Sequence, residues 1–327
     1  MKAVWYERQG AASEVLQYGE MADLQPAPGE VRVRMKVSGV NPVDTKRRLG
    51  GRGVMPADRV VPHLDGAGVI DLVGEGVPAN RLGQRVWVYE AQGERPFGTA
   101  AEAVLVPVDN AVPLPESTSY DEGACLGVPA LTAYASVFAD GDVAGQTLLV
   151  TGGAGAVGRY AIQFAKLNGA VVIATVSSDE KAELALSAGA DFVVNYRTEC
   201  VVARIQDITA GSGVDRIVEV EFGGNLEVSL QVLKPGGVIA TYASQAVPEP
   251  SIPFYTLAYK NVVVRYILVL LMPAEEKKRA IATITRWLEQ GSLKHHIGKR
   301  FLLEQTAAAH EAVEQGAIGK VLVDIGD

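Results

Sequence analysis

At 327 residues the chain is long enough for two ordinary domains, each with its own core. Hydrophobic residues at 48% and charged residues at 21% exclude disordered and fibrous classes, and a net charge of -8 argues against nucleic acid or an anionic membrane surface as the main partner. Two cysteines, Cys125 and Cys200, exclude a disulfide scaffold and a cysteine-rich zinc lobe and point to a reducing, cytoplasmic setting.

Along the chain, residues 1–8 carry charge too early for the apolar stretch of a secretory signal. Up to about residue 120, short β-type runs at 31–37 and 85–89 alternate with Gly and Pro, which predicts a mostly β domain. Pro113 and Pro115, followed by helix-start chemistry at 117–122, mark a domain junction. From Gln146 strands and helices alternate: strand 147–151, helix 159–167, strand 171–176, a helix ending at Gly189, strand 192–195, helix 201–209, strand 216–220, and strand 238–242 after Pro235-Gly236-Gly237. This is the βαβ rhythm of a doubly wound parallel sheet covered on both faces. The most apolar run, 262–272, is interrupted by Arg265 and falls short of the roughly 20 residues that span a bilayer, so it reads as buried sheet. Helices at 274–290 and 306–315 and a strand at 320–325 close the chain.

The turn Gly153-Ala154-Gly155-Ala156-Val157-Gly158 follows an apolar strand and opens a helix, the context in which a glycine-rich turn binds a dinucleotide and not merely packs. Gly153 permits the tight turn, Gly155 the approach of the pyrophosphate, and Gly158 close helix–strand packing, while the helix start favours the phosphates. NAD-type sites carry an acid at the end of the second strand for the ribose 2′-hydroxyl. Here that end reads Ala174-Thr175-Val176-Ser177-Ser178, and Asp179 and Glu180 read as first-turn residues of the next helix. Lys181 is either a solvated surface charge or a partner for a 2′-phosphate; the missing acid favours the second reading and NADPH.

Several motifs occur in order: Gly39-Val40-Asn41-Pro42-Val43-Asp44, Asp65-Gly66-Ala67-Gly68-Val69, Pro129-Ala130-Leu131-Thr132-Ala133-Tyr134, Gly152 to Gly158 with Ala161-Ile162-Gln163, Ala188-Gly189-Ala190-Asp191, and Asn195-Tyr196-Arg197. Through them essentially the whole chain resembles the zinc-independent NADPH:quinone oxidoreductases, the zeta-crystallin-like branch of the medium-chain dehydrogenase/reductase superfamily. The resemblance implies a β-rich GroES-like catalytic domain built from both termini (1–121 and 268–327), a Rossmann NADPH-binding domain (122–267), and an active site in the cleft. It implies that Asn41 and Thr132 lie near the nicotinamide and that Ala156 and Val157 line the phosphate turn. Ser177, Lys181 and Tyr196 would surround the 2′-phosphate, and Tyr242, Ala243 and Ser244 would pass under the cofactor. Asn41 could instead only form the turn before Pro42, and Tyr196 could be a half-buried packing residue. Strand 262–266 would pair across a two-fold axis to give a homodimer.

Metal-dependent relatives place a Cys where Asn41 stands, a His-Glu pair at Leu64-Asp65 and another Cys near Val128, so the zinc-ligand set is gone and no metal is expected. His63 and Cys125 read as structural, His295 and His296 as surface residues in the basic run 294–300, and His310 as a helix residue. Without Lewis-acid polarisation, the accessible chemistry is hydride delivery to an acceptor that is already electrophilic, a small-molecule quinone or activated enone. Asn41, Thr45, Lys46 and Arg48 are the candidate donors to the developing oxyanion. The basic stretch 45–52 is either a solvated helix face or a lip selecting anionic acceptors, in which case charge reversal at Arg48 or Arg52 raises KM for acidic acceptors only. Two other readings stay open: an NADPH-binding structural or regulatory protein with little turnover, and a zinc-type alcohol dehydrogenase, which the missing ligands disfavour.

Overall fold

A computed structural model of the protein describes residues 1–51 and 53–326. The first segment runs β1 (Lys2–Trp5), α1 (Ala12–Val15), β2 (Gln17–Glu20), β3 (Glu30–Val40), α2 (Pro42–Leu49), β4 (Asp65–Val73), β5 (Arg85–Val88), β6 (Ala103–Pro107), β7 (Ala111–Pro113) and α3 (Tyr120–Ala124). The middle runs α4 (Gly127–Phe138), β8 (Thr147–Val150), α5 (Ala156–Leu167), β9 (Val171–Val176), α6 (Asp179–Ser187), β10 (Phe192–Asn195), α7 (Val201–Ile208), β11 (Val214–Glu219), α8 (Phe222–Val232), β12 (Leu233–Thr241), α9 (Phe254–Tyr259) and β13 (Val263–Tyr266). The chain ends through α10 (Ala274–Glu289), β14 (Ile297–Leu302), α11 (Thr306–Glu314) and β15 (Lys320–Asp324).

Two compact units result: Met1–Val128 together with the chain from Ile281 onward, and Pro129–Ala280. A boundary at 121/122 would cut α3, whose residues pack on β3, β4 and β5 of the first unit, and one at 267/268 would fall before α10, within which the divide at 280/281 lies.

In the first unit seven strands form one sheet in the order β14-β15-β3-β4-β5-β7, with β6 also on β3. Alternate β3 residues Val31, Val33 and Met35 enter a core shared with Ile70, Val86, Val88, Val104 and Val106, the period-two pattern of a half-buried strand. The C-terminal strand β15 lies antiparallel beside β3, Val321 opposite Val40. β14, which the sequence shows only as a basic run, is the exposed edge partner of β15; lysine and arginine are tolerated there because only one side of the strand is paired.

The second unit is a six-stranded, wholly parallel sheet in the order β10-β9-β8-β11-β12-β13. The apolar runs of β8 and β9 are buried, as strands covered on both faces require. The order reverses between β8 and β11, the switch point at which such sheets open a crevice at the strands' carboxyl ends. β12 starts at Leu233, ahead of Pro235-Gly236-Gly237, and its register against β11 slips there. The expectation that 262–272 is buried sheet is overturned. β13 is paired only to β12, and Tyr266 is 72%, Leu268 55% and Leu271 77% exposed. An edge strand and an interior strand have the same composition; which one forms depends on what lies beside it. Among the described residues no helix is long and apolar enough to cross a membrane.

Candidate functional site

In the second unit β8 ends at Val150 and the chain turns through Gly152 to Gly158 into α5. The left-handed residue of this turn is Gly152, with φ 63°. Gly153 is required for space instead: a Cβ there would stand 2.7 Å from Ala174 Cβ. Gly155 caps α5 with no side-chain bond, so the helix start keeps N–H groups to offer. At Gly158 a Cβ would stand 2.5 Å from the Gly152 carbonyl oxygen, so this glycine does hold helix and turn together.

Ser177, Lys181 and Tyr196 come together because β9 and β10 are in parallel register, with Val176 opposite Asn195. Lys181 Nζ donates to Ser177 Oγ at 3.0 Å, and Ser178 caps α6 by accepting from Lys181 N. Tyr196 is 52% exposed. No carboxylate stands at the end of β9, and Asp179 and Glu180 are in the first turn of α6. Thr132 is buried in α4. Beyond β12, Tyr242 is half-buried, and desolvation pushes its hydroxyl above its ordinary range. The Ala243 carbonyl accepts from Phe222 N, and Ser244 Oγ accepts from Gly223 N at 2.9 Å.

Two residues here were not singled out from the sequence. Glu219, at the end of β11, is buried and accepts from Thr151 Oγ1, Glu221 N and Asn225 Nδ2 at 2.7–2.8 Å. Glu221 takes the backbone N–H groups of Gln245, Ala246 and Val247; burial opposes its ionisation, but these donors hold it below the usual carboxylate range. The signal was an acid at a switch-point strand end, which spacing alone does not separate from a surface charge.

In the first unit Asn41 caps α2, with Pro42 in the first helical position. Asp44 accepts from Asn41 N at 2.7 Å. Burial first, then Asp65, pushes Asp44 up to about 7, against the Asn41 N–H, Lys320 and Arg47. Because Gly39 pairs with Asp65 on one side of β3 and Val321 with Val40 on the other, both Asp65 and Lys320 reach Asn41. Asn41 Nδ2 donates to Asp65 Oδ2 at 2.7 Å, and Lys320 Nζ donates to Asn41 Oδ1 at 2.6 Å and to Asp65 Oδ2 at 2.9 Å. Val128 N donates to Asp65 Oδ1 at 3.0 Å. Gly127 makes room for this, since a Cβ there would lie 1.9 Å from that oxygen. Asn41, Asp65 and Lys320 are 2%, 0% and 4% exposed. Lys320 was missed from the sequence although a lysine opening the apolar strand Lys320-Val321-Leu322-Val323 is unusual enough to have marked it.

These residues do not fit a zinc ion. One amide and one carboxylate already surround an ammonium, and Leu64 and Val128 offer no side-chain ligand. Among the described residues no three His, Cys, Asp or Glu side chains converge to hold a metal.

The candidate donors fare unequally. Thr45 is buried and its Oγ1 donates to the Pro42 carbonyl at 3.1 Å. Lys46 is half-buried. Arg48 is fully buried, a correction to its reading as part of a substrate lip: its guanidinium bonds His310 Nδ1, the Gly10 carbonyl and the Glu314 carboxylate. Adjacent helix positions point about 100° apart, so one can face solvent and the next the core, and the run of basic residues does not show which of them faces in. Arg52 lies outside the described residues. Arg47 instead lines a cavity of about 210 Å³ with Tyr6, Gln9, Met55 and Gln92.

His63 and His310 are both buried, their Nε2 atoms 2.9 Å apart. Their tautomers follow from their neighbours. Arg48 Nε can only donate, so His310 accepts on Nδ1 and carries its proton on Nε2. It donates to His63 Nε2, and His63 Nδ1 donates to Ser38 Oγ; Ser38 donates to Thr99 Oγ1, which donates to the Asp65 carbonyl at 2.6 Å. The chain ends on a backbone carbonyl, so it braces Asp65 and cannot carry a proton onward. Burial, then Lys320, pushes His63 down to about 3, and burial with His63 and Arg48 pushes His310 well below its ordinary value. Nitrogen-15 spectra are expected to show His63 protonated on Nδ1 and His310 on Nε2, with neither titrating between about pH 5 and 9; a midpoint near about 6.5 for either refutes the chain.

Residues 27–116 match the family model described as alcohol dehydrogenase GroES-like domain, and 156–286 the one described as zinc-binding dehydrogenase. The chain is 32% identical over 324 residues to the quinone oxidoreductase of Rattus norvegicus, covering 95% of this chain and 97% of that protein. A solved structure described as an NAD-dependent alcohol dehydrogenase superimposes with TM-score 0.91 at 31% identity, covering all of both chains. The Escherichia coli quinone oxidoreductase complexed with NADPH does so with TM-score 0.89 at 27% identity, covering 99% of this chain and 100% of that one.

Proposed function

This chain belongs to the quinone oxidoreductase family of the medium-chain dehydrogenase/reductase superfamily, and we infer from that membership and from its site that it reduces quinones or activated enones with NADPH, without a metal. The observation that carries the reading is the Asn41–Asp65–Lys320 set, where an amide and an internal ion pair stand in place of metal ligands. Polarisation of an unactivated alcohol or ketone has no Lewis acid here, so the acceptor must be electrophilic already. NADPH, when bound, supplies the hydride. The chain's part is to hold the phosphates at the start of α5, to meet the 2′-phosphate with Ser177, Lys181 and Tyr196, to seat the cofactor on Tyr242, Ala243 and Ser244, and to exclude water around Asn41. The Asn41 amide is the donor we assign to the acceptor's developing oxyanion; protons come from water.

Loss of NADPH absorbance on adding 9,10-phenanthrenequinone or 1,4-benzoquinone tests this, and no turnover across such acceptors favours a cofactor-binding protein. In the same assay Lys181→Ala is expected to raise KM for NADPH by about 10–100-fold, the worth of a charge-assisted bond, and to leave KM for NADH unchanged. An equal change for both cofactors removes Lys181 from the 2′-phosphate site.

A homodimer formed by β13 pairing across a two-fold axis is part of the same reading, supported by the one-sided edge of β13 and the exposed Tyr255, Tyr259 and Tyr266 near it. Light scattering is expected to give twice the chain mass; a monomer at micromolar concentration refutes it. Both cysteines are free, which supports a cytoplasmic setting.

A further inference from the structure

Which end of an asparagine amide points where is ordinarily ambiguous, because oxygen and nitrogen are nearly alike in shape. At Asn41 chemistry removes the ambiguity. Lys320 has three donors and no acceptor, so the Asn41 atom 2.6 Å from its Nζ is the oxygen. The Asp65 carboxylate accepts from Val128 N on one oxygen and from Lys320 on the other, and with the Asn41 oxygen on Lys320 the Asn41 atom 2.7 Å from that carboxylate is the nitrogen. The amide oxygen is thereby turned to the Lys320 ammonium, and one of the two Nδ2 hydrogens remains. What this orientation leaves for a reacting group is a donor.

We propose that Lys320 is a positioning residue for the reduction: with Asp65 it fixes the Asn41 amide so that an N–H, and not a carbonyl oxygen, meets the negative charge that builds on the acceptor. The inference rests on the reading of Asn41 as the group that meets the acceptor. The residues around it are organised for the same end. Asp44 holds the Asn41 backbone N–H, Gly127 makes room for Asp65, and the bonded chain through His63 and Ser38 braces the Asp65 carbonyl from behind. Lys320 is donated by the last strand of the chain, nearly three hundred residues from Asn41, so the C-terminal return of the chain into the first sheet supplies part of the site.

Lys320→Met alone leaves the buried Asp65 carboxylate without its cation and can fail to fold for that reason. The informative variant is Lys320→Met with Asp65→Asn, which is neutral and close in shape. With its oxygen kept on Val128 N, the new amide presents a donor to Asn41, whose own amide then turns round and puts an oxygen where the N–H stood. Measured with NADPH and 9,10-phenanthrenequinone, this folded double variant is expected to lose about 10²–10³-fold in kcat, as for removal of an oxyanion donor, with the NADPH dissociation constant by fluorescence within about twofold of wild type. Lys320→Arg keeps a cation that only donates and is expected to retain most of kcat. A double variant that melts as wild type and keeps kcat within about twofold overturns the proposal, as does an Arg variant as impaired as the double. Asn41→Ala separates the two levels: if it keeps full kcat, the reading of Asn41 fails and the proposal with it; if it loses kcat while the double does not, the role of Lys320 alone fails.

Discussion

Gly158→Ala is expected to weaken NADPH binding by about 100-fold or more, the scale on which a displacement of about 1 Å acts at a preorganised site. The new Cβ would stand 2.5 Å from the Gly152 oxygen and 3.0 Å from Gly153 Cα, both backbone atoms that cannot swing aside as a side chain would. The turn must therefore move away from α5. That shift separates the phosphate-facing N–H groups from the helix start that gives them their electrostatic pull. Fluorescence titration with NADPH measures the effect, and circular dichroism and melting show whether the sheet survives. An affinity within threefold of wild type would mean that the turn has slack, and would remove the geometric basis for the roles assigned to Ala156 and Val157.

Arg48→Glu is expected to prevent folding, in contrast to the selective rise in KM that a surface position would give. The wild-type guanidinium is fully buried and bonds Glu314, His310 and the Gly10 carbonyl at once. A carboxylate there has no cation to meet, faces Glu314, and leaves acceptors on both His310 and Gly10 without a donor. Breaking a buried pair typically costs about 3–5 kcal/mol, a large share of the stability of an ordinary domain. Arg48→Met, which buries no charge, is expected to fold with a lowered melting temperature and an unchanged KM for acceptors of either charge. A well-folded Arg48→Glu protein with a raised KM for acidic acceptors alone would put Arg48 back at the acceptor site.

The nucleotide-binding unit was the more legible because its signals are local. A parallel sheet buried on both faces writes its strands as apolar runs, and the turn at Gly152–Gly158 lies within a single βα unit, so strand, turn and helix start are read from adjacent residues. The grouping of Ser177, Lys181 and Tyr196 needed one more step, the pairing of neighbouring strands, and strand order in a doubly wound sheet follows from chain order. Even there a string of glycines does not reveal which one takes positive φ, and the structure gives it to Gly152.

The acceptor side was less legible. Asn41 stood out by its motif, but Lys320 and Asp65 join it only through the order of β15, β3 and β4 in a mixed sheet assembled from both ends of the chain. The direction in which Arg47 and Arg48 point was equally closed to pattern reading. They are adjacent on one short helix, one beside a cavity and the other in the core, and what selects Arg48 for burial is the presence of His310 and Glu314 on α11.

The sequence by itself therefore determined the doubly wound sheet, the dinucleotide turn and the absence of an acid at the end of β9, because each of these is carried by residues close together in the chain. Only the tertiary structure decided which charges are internal, which way the Asn41 amide faces, and that β13 is an exposed edge. Burial and hydrogen-bond direction depend on partners tens to hundreds of residues away, and a low-dielectric interior makes those partners decisive for every charged group placed in it.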